Sequence, residues 1–144
     1  MGPKIVSRAG FIAAGMALTL TLSACAGSGS DNSGGGGDGG TTITLGFMGD
    51  LTGENSGIVI PPRNGAKMAI DEYNATNPKV KIELKEYDSQ GKPEQATALV
   101  AQAIGQDKIT GLIGPAFSGE SKAVGAQLDQ GKIPSVSPSA TNPG

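Results

Sequence analysis

The stretch Val80-Lys-Ile-Glu-Leu-Lys-Glu-Tyr-Asp-Ser-Gln-Gly-Lys-Pro-Glu-Gln-Ala-Thr-Ala-Leu-Val-Ala-Gln-Ala-Ile-Gly-Gln-Asp-Lys-Ile-Thr-Gly-Leu-Ile113 contains two chain periods in succession. Val80, Ile82 and Leu84 alternate with Lys81, Glu83 and Lys85, which is the two-residue period of a half-exposed strand near a sheet edge. The charges on its outer face are a solvated surface. Pro93 then stands where a first-turn proline belongs, and Ala96, Leu99, Val100, Ala103 and Ile104 make one apolar stripe at helical spacing. Ile109 to Ile113 is a short apolar strand. Strand, crossover helix and strand in this order predict strands that run parallel in one sheet.

The same alternation extends to both sides. Upstream, Thr42-Ile-Thr-Leu-Gly-Phe47 reads as a strand that runs into the loop Gly49-Asp50-Leu51-Thr52-Gly53. After Pro61-Pro62, the positions Ala66, Ala69, Ile70 and Tyr73 recur at helical spacing and stop at Asn77-Pro78. Downstream, Ser118 to Gln130 is a third helix and Ile133-Pro-Ser-Val136 a fourth strand. The order βαβαβαβ predicts an α/β unit, a parallel sheet with helices on both faces joined by right-handed connections. Residues 41–144, with eleven acidic and nine basic side chains, suffice for one core.

Composition excludes several mechanisms. The chain of 144 residues has no His and one Cys, so a Ser-His-Asp or Cys-His arrangement, a His-ligated metal and a cysteine cage are out of reach. A net charge of −2 is far from the basic balance that phosphate-backbone binding needs, so nucleic acid is not an expected partner. Neither G-x-G-x-x-G nor G-x-x-x-x-G-K-[ST] occurs, which argues against a dinucleotide or nucleoside triphosphate. No cofactor and no metal are expected.

In a parallel α/β sheet, ligands bind beyond the carboxyl ends of the strands, near the point where strand order reverses. Three loops fall there: Gly49 to Ile60, Gly114 to Ser121 and Ser137 to Gly144, all rich in Ser, Thr and Gly. Ser118 opens a helix after a strand, so its hydroxyl and the unpaired N–H groups around it suit an anion. With no Lys or Arg before Lys122 in that loop, the anion is a modest one such as a carboxylate. The segment Ser135 to Pro143 adds hydroxyls and free carbonyls beside it. Two polar, uncharged loops around one helix start provide donors for a carboxylate and acceptors for an ammonium.

Residues 1–40 have a different composition. Lys4 and Arg8, the only charges before Asp31, precede an uncharged run, Phe11 to Leu22, too short to span a bilayer as a mature helix. Leu22-Ser23-Ala24-Cys25 follows and resembles the lipobox of bacterial lipoproteins, which implies a signal peptide over 1–24 and lipid attachment at Cys25. Residues 26–40 contain eight Gly and nothing that can pack, a leash with an r.m.s. reach of about 20–23 Å. Acylation by more than one chain would give durable anchoring to a membrane. Ala26 is not the Asp that marks inner-membrane retention in double-membrane bacteria, and a permease partner fits a single-membrane cell better.

Asp50-Leu51-Thr52-Gly53, Asn64-Gly65-Ala66, Ala69-Ile70, Asn74-Ala75, Asp88-Ser89-Gln90, Ile113-Gly114-Pro115, Ser118, Ile133-Pro134 and Ser137-Pro138-Ser139-Ala140-Thr141-Asn142-Pro143 together resemble the leucine/isoleucine/valine-binding proteins of bacterial ABC importers, from about Ile43 onward. The resemblance implies two Rossmann-like, three-layer α-β-α lobes joined by a hinge, residues 41–144 being an incomplete first lobe, with an amino acid held between the lobes and no bond chemistry. By position, the Ser118 hydroxyl and N–H would donate to the ligand carboxylate. Thr141 would donate to the same carboxylate and accept from the ammonium, the Ser139 carbonyl would also accept from the ammonium, and Ile58 would lie against the ligand side chain. The acidic partner for the ammonium would come from the second lobe. Many relatives have Gly-Gly after the Asn-Ala; here Thr76-Asn77-Pro78 follows, a change in a remote loop.

The expected activity is capture of branched-chain amino acids for an ABC permease by an exported protein lipid-anchored to the outer face of the membrane. Alternatives of the same fold are a sensor or a binder of amides, urea or another small carboxylate. A surface hydrolase using Ser118 would need a base from Asp50, Glu54 or Glu120. A purely structural surface lipoprotein is the plainest alternative.

Overall fold

The computed structural model describes residues 40–142. The expected signal segment, Cys25 and the leash up to Gly39 lie outside the described residues. The elements are β1 (Thr41–Gly49), α1 (Ser56–Ala75), β2 (Val80–Asp88), α2 (Pro93–Gly105), β3 (Gly111–Ile113), α3 (Ser118–Gln130) and β4 (Ser135–Val136). The strands form one sheet in the order β2-β1-β3-β4, and all three pairings are parallel. β2 is an edge strand, as its alternation predicts.

Neighbouring residues of a strand point to opposite faces, and β1 uses both. Met48 joins Tyr87 and Leu112 beneath Ala96, Val100 and Ala103 of α2 and Val124 and Leu128 of α3. Phe47, one residue earlier, packs with Val59 and Ala66 of α1, and with Leu84, Ile113 and Ala116. Helices therefore cover both faces, α1 on one and α2 with α3 on the other. Full burial of a side chain such as Phe47 contributes about 2–3 kcal/mol.

The first helix departs from expectation. The loop predicted to run to Ile60 ends at Asn55, and α1 begins at Ser56, with Pro61 and Pro62 in its interior. Each proline removes one helical N–H and disfavours helical geometry in the residue before it. Burial outweighs that cost: Val59, on the segment read as loop, is 0% exposed against Phe47 and Ala116. The carbonyls of Gly57 and Ile58, four residues ahead of the prolines, belong to exposed residues that water can reach.

The buried stripe of α1 consequently runs Val59, Ala66, Ile70. Ala69 and Tyr73, expected in the apolar face, lie on its exposed flank. In line with the stripe, the Asn74 side chain donates to the Ile82 carbonyl at 2.7 Å and accepts from the Ile82 N–H at 2.9 Å. One amide thus satisfies both backbone groups of an edge-strand residue.

On the α2 side, Lys85 Nζ and the Tyr87 hydroxyl donate to the two oxygens of Asp107 at 2.7 and 2.9 Å. The bond from Lys85, then that from Tyr87, holds the Asp107 carboxyl below its usual range. The same bond to Asp107 raises Lys85, and burial, with Asp107 beside it, pushes the Tyr87 phenol up.

Candidate functional site

From β1 the chain turns to β2 on one side and later crosses to β3 on the other, so strand order reverses between β1 and β3. A ligand is expected at such a point, between the loops that follow Gly49 and Ile113.

The two strand ends approach closely. A Cβ on Gly49 would lie 2.6 Å from Val59 Cγ1 and 3.0 Å from the Ala116 Cβ, and one on Gly114, at φ +123°, would lie 2.4 Å from the Met48 carbonyl oxygen. Only glycine fits either place.

Carboxylates tie the loop after β1. Asp50, 1% exposed, accepts from the N–H groups of Gly53 at 2.6 Å and Asn55 at 2.9 Å. Asp88, at the end of β2, accepts from the N–H of Leu51 at 2.9 Å, the N–H of Gln90 at 3.1 Å and the Thr52 hydroxyl. Burial works to raise the Asp88 carboxyl, but the bonds from the Thr52 hydroxyl and from the Leu51 and Gln90 N–H groups outweigh it and hold the group below its usual range.

The β3–α3 loop and the segment after β4 are joined by serines. The Ser137 hydroxyl donates to the Pro115 carbonyl at 2.6 Å and accepts from the Ala140 N–H at 2.9 Å. The Ser139 hydroxyl donates to the Ala116 carbonyl at 2.5 Å, and the Ser118 hydroxyl accepts from the Asn142 N–H at 3.1 Å. Ser118 is the first residue of α3, after the extended N-cap Phe117, whose N–H donates to Glu120 Oε2 at 3.1 Å. The first-turn N–H groups of α3 have no helical carbonyl ahead of them, and the Ser118 hydroxyl, which accepts from Asn142, keeps its proton to donate.

The fold thus brings Ser118, Ser139 and Thr141 together. Thr141 is exposed and lies between Ala140 and Asn142, both fixed through serine hydroxyls. Ile58 stands on the first turn of α1, 56% exposed, and belongs to neither buried cluster. Sequence reasoning assigned no role to Ser137 or Asp88, and weighed Glu120 only as a base for a hydrolase, not as the acceptor for the Phe117 N–H. The Glu120 role had a legible cue, an acid at the third helical position; the other two depend on distant partners.

The carboxylates named for a hydrolase are otherwise engaged or placed. Asp50 is held by backbone N–H groups, Glu120 is buried and accepts from the Phe117 N–H, and Glu54 is exposed. None of them is hydrogen-bonded to the Ser118 hydroxyl among the described residues. Among those residues no group of three His, Cys, Asp or Glu could hold a metal ion, and no helix is long and apolar enough to cross a membrane.

A doubly wound sheet whose polar loops gather where strand order reverses is the architecture of a ligand-binding lobe. The family model described as periplasmic binding protein matches residues 42–144, and the chain belongs to that family. It is 33% identical over 105 residues to the Leu/Ile/Val-binding protein BraC3 of Rhizobium johnstonii, covering 70% of this chain and 28% of that protein. Among solved structures, it is similar to the branched-chain amino acid transporter substrate-binding protein LivJ of Streptococcus pneumoniae in complex with isoleucine, at 30% identity and a TM-score of 0.68, covering 72% of this chain and 30% of that one. An ABC-transporter solute-binding protein from R. palustris in complex with 4-hydroxybenzoate is 27% identical with a TM-score of 0.58, covering 69% and 27%. The chain therefore spans less than a third of the length of these relatives.

Proposed function

We propose that this protein captures a branched-chain amino acid outside the cytoplasm and delivers it to an ABC permease, without bond chemistry, while anchored to the outer face of the membrane through lipid on Cys25. The observation that carries the reading is the convergence of Ser118, Ser139 and Thr141 at the start of α3. The names of BraC3 and LivJ support the choice of ligand.

In this reading the Ser118 hydroxyl and N–H, aided by the positive end of α3, donate to the ligand carboxylate. Thr141 donates to that carboxylate and accepts from the ammonium, as does the Ser139 carbonyl, and Ile58 faces the aliphatic side chain. A buried zwitterion is costly unless each charge is hydrogen-bonded, which these groups provide for one end of the ligand. Closure of two lobes about a hinge would complete the enclosure.

Calorimetric titration of the full-length protein with leucine, isoleucine, valine, urea and 4-hydroxybenzoate tests the ligand, and binding of an aliphatic amino acid in preference to the others is expected. Preference for 4-hydroxybenzoate would favour the second reading, a carboxylate binder like the R. palustris relative. The anchor is tested separately: mass spectrometry of protein from cells should find Cys25 as an acylated N-terminus, lost in Cys25→Ser.

A further inference from the structure

We propose that the edge of the sheet where the four strands begin is a docking surface for the anionic lipid bilayer to which the protein is tethered. The proposal rests on the anchor reading above, which places the lobe beside a bilayer. Thr41 opens β1, and the Gly-rich leash joins the lobe at that edge. At the junction the Thr41 N–H donates to the Lys79 carbonyl at 3.1 Å. Thr41, Asn77, Lys79 and Lys81 line an open groove of about 410 Å³ there, and its lining includes no acid. Cations continue along the edge. Each helix-to-strand turn at this end holds one residue in the left-handed region: Asn77 at φ +51°, Lys108 at +55° and Lys132 at +56°. Asn suits that region, whereas a side chain such as Lys is uncommon in it. Backbone geometry therefore does not account for lysine in the last two turns.

Lys79, Lys81, Lys108 and Lys132 are exposed, and none of them is in an ion pair among the described residues. The strand order β2-β1-β3-β4 spreads them over three strand spacings, about 14 Å, with the leash entering at β1 between them. Of the acids toward this end, Asp71 pairs with Lys67 and Asp107 with Lys85, which leaves Glu72, Glu83 and Asp129, all exposed. Glu83 also acts on Lys85. The four lysines exceed these three acids by one, so the attraction to an anionic surface is modest. A tether with a reach of about 20–23 Å holds the edge at a local concentration where modest attraction suffices. The nine residues of β1 set this edge about 30 Å from the loops around Ser118, so a lobe resting on lipid keeps its ligand end clear of it.

The full-length protein beginning at Ala26, which carries no lipid, is floated with vesicles of equal parts phosphatidylglycerol and phosphatidylcholine and with vesicles of phosphatidylcholine alone, and is titrated separately with soluble polyphosphate. Binding to the anionic vesicles that fades as salt is raised, with none to the neutral ones, is expected. Lys108→Asn combined with Lys132→Asn suits the left-handed turns, removes two charges and should weaken that partition about tenfold or more. Lys92→Gln combined with Lys122→Gln removes the same charge near the starts of α2 and α3, at the opposite end of the sheet, and should change it by less than about twofold. Equal losses in the two pairs, or no binding of the wild type to anionic vesicles, overturn the proposal. Binding of polyphosphate without binding of vesicles also overturns it and assigns the edge to a free polyanion. Cys25 found without lipid fails the anchor reading, whereas the vesicle result, obtained on the unlipidated chain, stands or falls apart from it.

Discussion

The Ser139 hydroxyl donates to the Ala116 carbonyl at 2.5 Å, across 23 positions of sequence. That bond fastens the segment after β4 to the loop that introduces α3, so the residues proposed to hold a ligand are fixed relative to one another by side chain to main chain contacts within one lobe.

Ser118→Ala combined with Thr141→Ala should weaken leucine binding by the full-length protein by about 2–4 kcal/mol, because both are assigned charge-assisted bonds to the carboxylate. Isothermal titration checks this. An affinity equal to wild type would remove these residues from the site.

Gly114→Ala should destabilise the fold by about 2 kcal/mol or more, since a Cβ there meets the Met48 carbonyl oxygen at 2.4 Å and φ is +123°. Chemical denaturation of the two proteins side by side measures it. Gly57→Ala, at an exposed helical position with open space around the added methyl, should be neutral or mildly stabilising.

Asn74→Ala should cost about 1–2 kcal/mol, because it leaves both backbone groups of Ile82 without their partner on the β2 edge. Hydrogen exchange gives a local reading: the Ile82 amide should lose protection while Leu112, in the middle of the sheet, changes only with global stability.

The acid limb of stability should depend on Asp88. Its folded value lies below the roughly 3.9 of an unfolded Asp, so its contribution is fully present above about pH 4 and is lost as pH falls through the folded value. Denaturation curves for wild type and Asp88→Asn should therefore converge between about pH 5 and pH 2. Parallel curves across that range would show that Asp88 ionisation is not linked to folding. Asp107, also lowered, should act in the same direction.

The elements legible in the sequence were those whose period reports their own environment. The alternation of Val80, Ile82 and Leu84 identified an edge strand, and Ala96, Val100 and Ala103 identified the buried face of α2. The start of α1 was not legible, because Pro61 and Pro62 are local cues for a loop, and the burial of Val59 against Phe47 and Ala116 that overrides them is tertiary. Ser118 could be found because a strand-to-helix junction presents donors wherever it occurs. Ser137 and Asp88 could not, since each owes its role to a backbone group distant in sequence, Pro115 for the first and Leu51 for the second.

The loop after β1 and the junction at α3 are secured by carboxylates and hydroxyls of this lobe, Asp50 and Asp88 for the first and Ser137 and Ser139 for the second. In the proposed function, a small molecule arriving at this lobe would find its donors and acceptors already in position, and so little chain entropy would have to be surrendered at first contact. The encounter step would then vary little among similar solutes, and discrimination among them would be expressed in how long each remains bound.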